Sequence, residues 1–379
     1  MSHAINQSFT VCFTIAGLRS GPSYLKGCGM MEKRNVVILG SSGIVGQRFC
    51  QMLSNHPYFN ITNLFGGSAS DGRRLSEVLK LPESCISQTD LLNEKIDQLD
   101  LKTVKRIDPD IVFSALPNDL ARDVELELAS HSIPVFTNAS ANRMREDVPL
   151  VVPEVNSECL DMVNGKDGYI VANGNCSSIG LALSLKPLAR FGLRNVNVTT
   201  LQAVSGSGYP GIPSLDIMDN LVPYIQDEEE KISAEIPKML GTLESGRIRN
   251  SAIKVRATCV RVPVRDSHLE VVQAEVVQDI NPVEVKEAFR HFRSRPQEMG
   301  LPSAPEKPVI IRDEENRPQP YLDSMAGSPE RARGMAATVG RVQVSGRIIR
   351  YVTLSHNTIR GAAGGSVLNA EIMFKKGMV

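Results

Sequence analysis

The sequence predicts an α/β protein: a doubly wound parallel sheet on the N-terminal side, then a second α+β domain with a largely antiparallel sheet. Three observations carry this. Short apolar runs alternate with amphipathic segments between Val36 and Thr137, as strand–helix units of a parallel sheet do. A glycine-rich turn, Gly40-x-x-Gly43-x-x-Gly46, joins the first such run to the first helical segment. Past about Val155 the texture changes to longer stretches rich in β-branched residues, separated by Gly and Pro turns.

Taken in order, Val36–Leu39 is a continuous apolar run, the signature of a strand buried on both faces. Arg48–Leu53 reads as helix and stops near His56-Pro57. Strands follow at Ile61–Phe65 and Asp110–Leu116. Asp119–Ala129 places Leu120, Val124 and Leu128 at helical spacing, and Ile133–Thr137 is a further strand. In the second domain Asn195–Ser205, Ser251–Val264 and His268–Gln278 read as strands, with an acidic helix around Asp227–Leu240. Proline-rich Ser294–Tyr321 reads as an irregular arm. Ala362–Lys375 reads as a helix that packs back on the first domain. The expected organisation is an extension at 1–31, a cofactor-binding domain at 32–155 with 356–379, and a catalytic and dimerisation domain at 156–355.

Lysine and arginine number 42, as do aspartate and glutamate, so no net field invites nucleic acid or a membrane surface. No apolar run approaches the roughly 20 residues of a membrane-spanning helix. Cysteines 12, 28, 50, 85, 159, 176 and 259 are scattered without CxxC spacing. They read as reduced thiols, with no disulfide framework and no metal site. Met1–Met31 lacks acidic residues and is rich in Ser and Gly. It is expected to be a disordered extension of a cytoplasmic protein; the alternative is an organelle-targeting segment.

A strand, a Gly40–Gly46 turn and a helix together suit a dinucleotide. Glycines let the backbone approach a pyrophosphate, which sits against the amides opening the helix. Gly40, Ser41, Ser42, Gly43, Ile44, Val45 and Gly46 are the expected contacts, with Ser114, Leu116 and Pro117 at the end of a neighbouring strand. An NAD site places a carboxylate at the end of the second strand to hold the ribose 2′-hydroxyl. Here that stretch reads Phe65-Gly66-Gly67-Ser68-Ala69-Ser70-Asp71-Gly72-Arg73-Arg74. Small and hydroxyl residues followed by two arginines point to NADP, with Ser68, Ser70 and Arg73 as contacts. Asp71 argues the other way, and the arginines otherwise form a solvated loop.

Strand-like Tyr169–Ala172 leads into Asn173-Gly174-Asn175-Cys176-Ser177-Ser178-Ile179-Gly180. A cysteine where a turn feeds a helix N-terminus gains thiolate stabilisation from the dipole and unpaired amides. The same amides suit an acyl oxyanion. A thiol nucleophile beside a dinucleotide indicates a dehydrogenase working through a thioester.

Gly174–Gly180 resembles the active-site motif of the aspartate-semialdehyde dehydrogenases. So do Gln202-Ala203-Val204-Ser205-Gly206, Arg261-Val262-Pro263-Val264 with His268, and Asn357-Thr358-Ile359-Arg360-Gly361-Ala362-Ala363-Gly364. The likeness runs from about Lys33 to Val379 and is strongest to the archaeal and fungal branch. It implies NADPH-dependent reductive dephosphorylation of L-4-aspartyl phosphate to L-aspartate 4-semialdehyde, in threonine, methionine and, in some organisms, lysine biosynthesis. It also implies these roles: Cys176 nucleophile, His268 acid/base, Gln202 orienting the acyl group with Asn175 beside it, and Arg261 on the α-carboxylate. Arg143 and Lys231 are implied on phosphate and Glu228 on the ammonium, although four charges opening a helix (228–231) are more often a solvated face. Asn357, Gly361 and Gly364 are implied near the nicotinamide, and the protein is implied to be a homodimer or homotetramer. The rival reading is an acyl-CoA reductase of the malonyl-CoA type, with the same build and another pocket.

Overall fold

In the computed structural model, which describes residues 32–379, the apolar run of β1 (Arg34–Leu39) lies inside a six-stranded sheet whose neighbours all pair in parallel. Its order is β3 (Ile96–Gln98), β2 (Phe59–Gly66), β1, β4 (Ile111–Ser114), β5 (Val135–Thr137), β6 (Ile170–Ala172). Val36, Val37, Ile38 and Leu39 are fully buried, with alternate residues divided between the two core clusters. Helices α1 (Ile44–Leu53), α2 (Leu101–Ile107) and α3 (Asn118–Ser130) supply the cover that such strands need. Strand order reverses between β1 and β4, so the Gly40 turn stands at the switch point where such sheets bind ligands. The expected extension at 1–31, with Cys12 and Cys28, lies outside the described residues.

The second sheet runs β10 (Lys254–Arg261), β7 (Leu193–Gln202), β11 (His268–Val276), β14 (Ile348–Ser355), β13 (Ala337–Ser345), β12 (Val309–Ile311). Its three central pairs are antiparallel and its two outer pairs parallel, a mixed and mostly antiparallel sheet. A separate hairpin joins β8 (Thr242–Glu244) to β9 (Arg247–Arg249). Three features depart from the sequence reading. The arm at 294–321 is not wholly irregular, because β12 adds a parallel edge strand. The hairpin β13–β14 was not anticipated, although Ser345-Gly346 between alternating apolar residues is a turn signal. Strand β7 ends at Gln202, and 204–207 tighten into a 3-10 turn.

The inner face of this sheet changes character towards one end. Val198, Val272 and Tyr351 form an apolar row, and Thr200, Glu270 and Thr353 lie opposite one another in the next. The last row brings Arg261 beside Gln202 and His268 beside Ser355. Over it lies α4 (Cys176–Leu185), buried almost throughout and mainly apolar apart from Ser177, Ser178 and Ser184.

The final helix, labelled α7 here (Gly364–Lys375) after α5 (Glu228–Met239) and α6 (Pro282–Arg290), is enclosed among first-sheet elements. Phe374 stacks on Tyr58 with centroids 4.6 Å apart, and Glu371 meets His56 at 2.9 Å. No helix among the described residues is long and apolar enough to cross a membrane. Phe374→Ala is expected to lower stability by about 3 kcal/mol, the size of a buried aromatic truncation. Chemical denaturation of the two proteins measures this.

Candidate active site

Asn175 starts α4 by accepting the Ser177 and Ser178 amides on its own Oδ1, the side-chain cap that fixes where the helix begins. Gly174 precedes it because a Cβ there would lie 2.0 Å from the Met239 methyl of α5. The turn thus delivers Cys176 to the end of the second sheet, where its Sγ lies 3.1 Å from His268 Nε2. Cys50, Cys159 and Cys259 are buried, whereas Cys176 and Cys85 have intermediate exposure.

Register settles a point that alternation left open. Leu201 pairs with Leu269 and Gln202 with Arg261, so Arg261, Gln202 and His268 all come to one sheet end. Gly206 fits between two of them: its Cβ would stand 2.8 Å from Arg261 Nη1 and 3.3 Å from His268 Nε2. Arg261 donates through Nη1 to the Ala203 carbonyl, while its buried Nε has no partner among the described residues. Gln202 gives its amide hydrogens to Thr200 and Glu228, so here it steadies Glu228.

The Ala203 amide donates to His268 Nδ1 at 3.0 Å, so the neutral ring carries its proton on Nε2, facing the sulfur. Burial, and after it Glu228, pushes the Cys176 thiol up to about 12, against opposing pulls from Arg261, the Ser177 amide and Arg143. Burial and then Arg261 push His268 down to about 3. A helix dipole is worth about 1 kcal/mol and does not offset such enclosure. The resting pair is therefore neutral thiol and neutral imidazole, where the sequence suggested a thiolate. Also, the Ser177 and Ser178 amides expected to meet an oxyanion are taken by Asn175, which leaves the Cys176 amide.

Helix α5 turns one charged face to this place. Glu228, Lys231, Glu235 and Lys238 recur at three- or four-residue spacing, so the charges opening it are not all a solvated face. Glu228 is buried and accepts Asn175 Nδ2 at 2.8 Å and Gln202 Nε2 at 3.0 Å on Oε1. Its Oε2 has no partner among the described residues, and neither has the ammonium of half-buried Lys231. Arg143 is buried: it donates from Nη1 to Glu235 at 2.7 Å and from Nη2 to the Asn138 carbonyl, and its Nε is unpartnered. Lys238 holds the same loop by donating to the carbonyls of Arg143, Arg145 and Val148. Sequence reasoning missed Glu235 and Lys238, although their helical phase with Glu228 was the available signal.

A third segment closes the site. Asn357 accepts the Ser267 amide and donates to Ser205 Oγ, tying three loops together at His268. Gly361 packs so closely on Cys176 that a Cβ would meet the Cys176 Cβ at 2.8 Å. The intervening turn is held by a fully buried Arg360–Glu154 pair at 3.0 and 2.6 Å. Gly364 owes its place to packing, since a Cβ there would lie 2.3 Å from Met335 Sδ.

At the dinucleotide turn Gly40 has φ +78°, and a Cβ on it would press the Ala115 carbonyl at 2.6 Å. Gly46 lets α1 start directly over the turn, 2.1 Å being the distance from its Cβ position to Gly40 O. The amides of Ile44, Val45 and Gly46 have no partner among the described residues, whereas Gln47 already bonds to Gly43. Ser41 Oγ donates to the Phe65 carbonyl and Ser114 Oγ to buried Glu125, leaving Ser42 the less committed hydroxyl. Leu116 is buried and Pro117 exposed. At the end of β2, Asp71 accepts the Gln98 amide, and Ser70 Oγ donates to Gly67 O beside exposed Ser68. Arg73 is exposed, with Nη2 on the Glu77 carbonyl at 2.7 Å.

A doubly wound nucleotide domain, a mixed-sheet domain and a cysteine–histidine pair together define a dehydrogenase that works through a thiol. Residues 35–163 match the family model described as "Semialdehyde dehydrogenase, NAD binding domain", and 185–360 the one described as "Semialdehyde dehydrogenase, dimerisation domain". The aspartate-semialdehyde dehydrogenase of Methanothermobacter thermautotrophicus is 48% identical over 350 residues, covering 89% of this chain and 98% of that protein. The crystal structure of the Candida albicans enzyme with NADP superposes with a TM-score of 0.81 at 34% identity, over 92% of this chain and 100% of that one. A malonyl-CoA reductase (NADP) of Metallosphaera sedula is 36% identical over 92% of this chain and 100% of its own length. This chain belongs to the aspartate-semialdehyde dehydrogenase family.

Alkylation of Cys176 by iodoacetamide in the ligand-free protein is expected to accelerate about tenfold per pH unit between pH 7 and 10, because only the thiolate reacts. A rate already flat near neutral pH would show a preformed thiolate–imidazolium pair instead.

Proposed function

We propose that this chain reduces L-4-aspartyl phosphate to L-aspartate 4-semialdehyde with NADPH, releasing phosphate, through a thioester on Cys176. The observation that carries the reading is a Cys176–His268 contact of 3.1 Å flanked by two buried arginines, each keeping one unpartnered Nε–H. An unpaired donor buried on a cationic group is costly unless an anion arrives to accept from it. Arg261 suits the substrate carboxylate, and Arg143 with Lys231 suits the phosphate.

Attack by Sγ forms the S–C bond as the C–O bond to phosphate breaks, and the departing oxygen keeps the bonding pair. Balance requires the thiol proton to end on that phosphate. His268 Nε2 is placed to carry it once the ring gives up its Ala203 contact and moves its own proton to Nδ1. When bound, NADPH supplies the hydride that reduces the thioester carbon. His268, reprotonated from solvent, then protonates the resulting oxygen, and collapse of the hemithioacetal frees the aldehyde as that proton passes to sulfur and restores the thiol. The Ile44, Val45 and Gly46 amides would hold the pyrophosphate, and Asn357 and Gly361 would border the nicotinamide. NADP is favoured over NAD because Asp71 already spends one oxygen on the Gln98 amide and exposed Arg73 lies nearby in sequence. Residues 32–155 with 356–379 then form the cofactor domain and 156–355 the catalytic domain of a cytoplasmic homodimer or homotetramer.

Against an acyl-CoA substrate stands Glu228. Its buried carboxylate, with Oε2 open, matches an ammonium that a malonyl group lacks. Phosphate-dependent oxidation of aspartate semialdehyde, compared with NADPH oxidation by malonyl-CoA, tests this directly.

Cys176→Ala is expected to abolish turnover and leave NADPH binding within about twofold, as loss of a nucleophile alone should. Arg261→Lys is expected to raise the KM for aspartate semialdehyde about tenfold or more, since a point charge cannot reproduce the guanidinium fork. Steady-state kinetics with a fluorescence titration of NADPH checks both.

A further inference from the structure

Glu235 is buried, and its two oxygens serve different partners. Oε1 accepts from Arg143 Nη1 at 2.7 Å, and Oε2 accepts the Asn175 backbone amide at 2.7 Å. The first partner belongs to the loop offering a free Nε to an anion. The second is the residue whose side chain caps α4, one position before Cys176. Gly174 allows this approach, because its Cβ position lies only 3.3 Å from Glu235 Oε2. One carboxylate therefore spans the gap between the expected leaving-group site and the start of the nucleophile's helix.

We propose that Glu235 is a positioning residue that sets the phosphate arginine and the nucleophile at a fixed mutual distance. The proposal rests on Arg143 as the phosphate contact. Thiol attack needs the acyl carbon close to sulfur while the phosphate lies in its own cradle, and small misplacements are expensive in rate. A carboxylate bonded at both ends supplies that constraint. Arg143 cannot swing towards solvent without leaving Glu235 Oε1 unpaired in a buried place, and Asn175 cannot shift without withdrawing its amide from Oε2 of the same carboxylate. Lys238, one turn further along α5, fixes the backbone carbonyls of the same loop, so the freedom left to Arg143 is that of its own side chain.

The test uses the full-length enzyme in phosphate-dependent oxidation of aspartate semialdehyde, with inorganic phosphate varied. Glu235→Gln keeps the shape but must turn an NH2 group against either the guanidinium or the amide. Glu235→Asp keeps the charge and is too short to reach both. Each is expected to raise the KM for phosphate about tenfold, the size of one lost charge-assisted hydrogen bond. Each should also lower kcat and the melting temperature, since buried Arg143 loses part of its pairing, while the KM for NADP stays little changed. In an Arg143→Ala background the effect of Glu235→Gln on the phosphate KM should vanish. If Arg143→Ala itself leaves that KM unchanged, the phosphate assignment is wrong. If Arg143→Ala raises it while the folded Glu235 variants stay within about twofold of the parent, the assignment stands and the coupling through Glu235 is overturned. A general loss of folded protein without a change in phosphate KM in the folded fraction also overturns it.

Discussion

The site depends on the contact between Cys176 and His268, and that contact exists only because two unrelated pieces of chain end at one place. Cys176 arrives from the first sheet, over β6 and a turn capped by Asn175. His268 arrives as the first residue of β11 in the second sheet. The side chains of the second sheet's last row converge with the charged face of α5 around this pair. Most other features of the site hold the pair enclosed: Gly361 packed on Cys176, Asn357 bonded to Ser267, and Arg360 buried against Glu154.

Enclosure has a chemical consequence. It keeps the thiol protonated and the imidazole neutral in the resting protein, so nucleophilicity has to be generated during attack. Such a site guards its cysteine from stray alkylation and oxidation, because the thiolate is the reactive form. It also strengthens the two arginines, whose unpartnered Nε–H groups act in a medium poor in water. In the proposed reaction binding and activation are thus linked: the substrate's carboxylate and phosphate would accept from the two unpartnered Nε–H groups.

Helix α5 shows how a surface-looking sequence becomes interior. Glu228-Glu229-Glu230-Lys231 has the composition of a solvated helix start, yet Glu228 is buried and Glu229 accepts the Cys259 amide. The buried charges on this face are tolerated because each finds a specific partner. Glu228 meets two side-chain amides, Glu235 an arginine and a backbone amide, and Lys238 three carbonyls. A buried charge lacking such partners is strongly destabilising.

By itself the sequence determined the parallel sheet, the glycine turn, the cysteine at a helix start and the family, because each is written in local pattern. Apolar runs, φ-demanding glycines and a helix start at Asn175-Cys176 need no distant partner to be recognised. The hairpin β13–β14 was legible in principle through Ser345-Gly346, whereas proline density around 294–321 hid the β-branched edge strand β12. What only the tertiary structure decided was which charges face inward. Strand register put Arg261 beside Gln202 at the end that His268 shares. The approach of α5 to the Gly174 turn turned Glu235 from one acidic residue among many into the bridge between Arg143 and Asn175. Protonation followed the same logic: a helix start favours a thiolate locally, but desolvation is set by everything packed around the sulfur, and that sum is not written in any short stretch of chain.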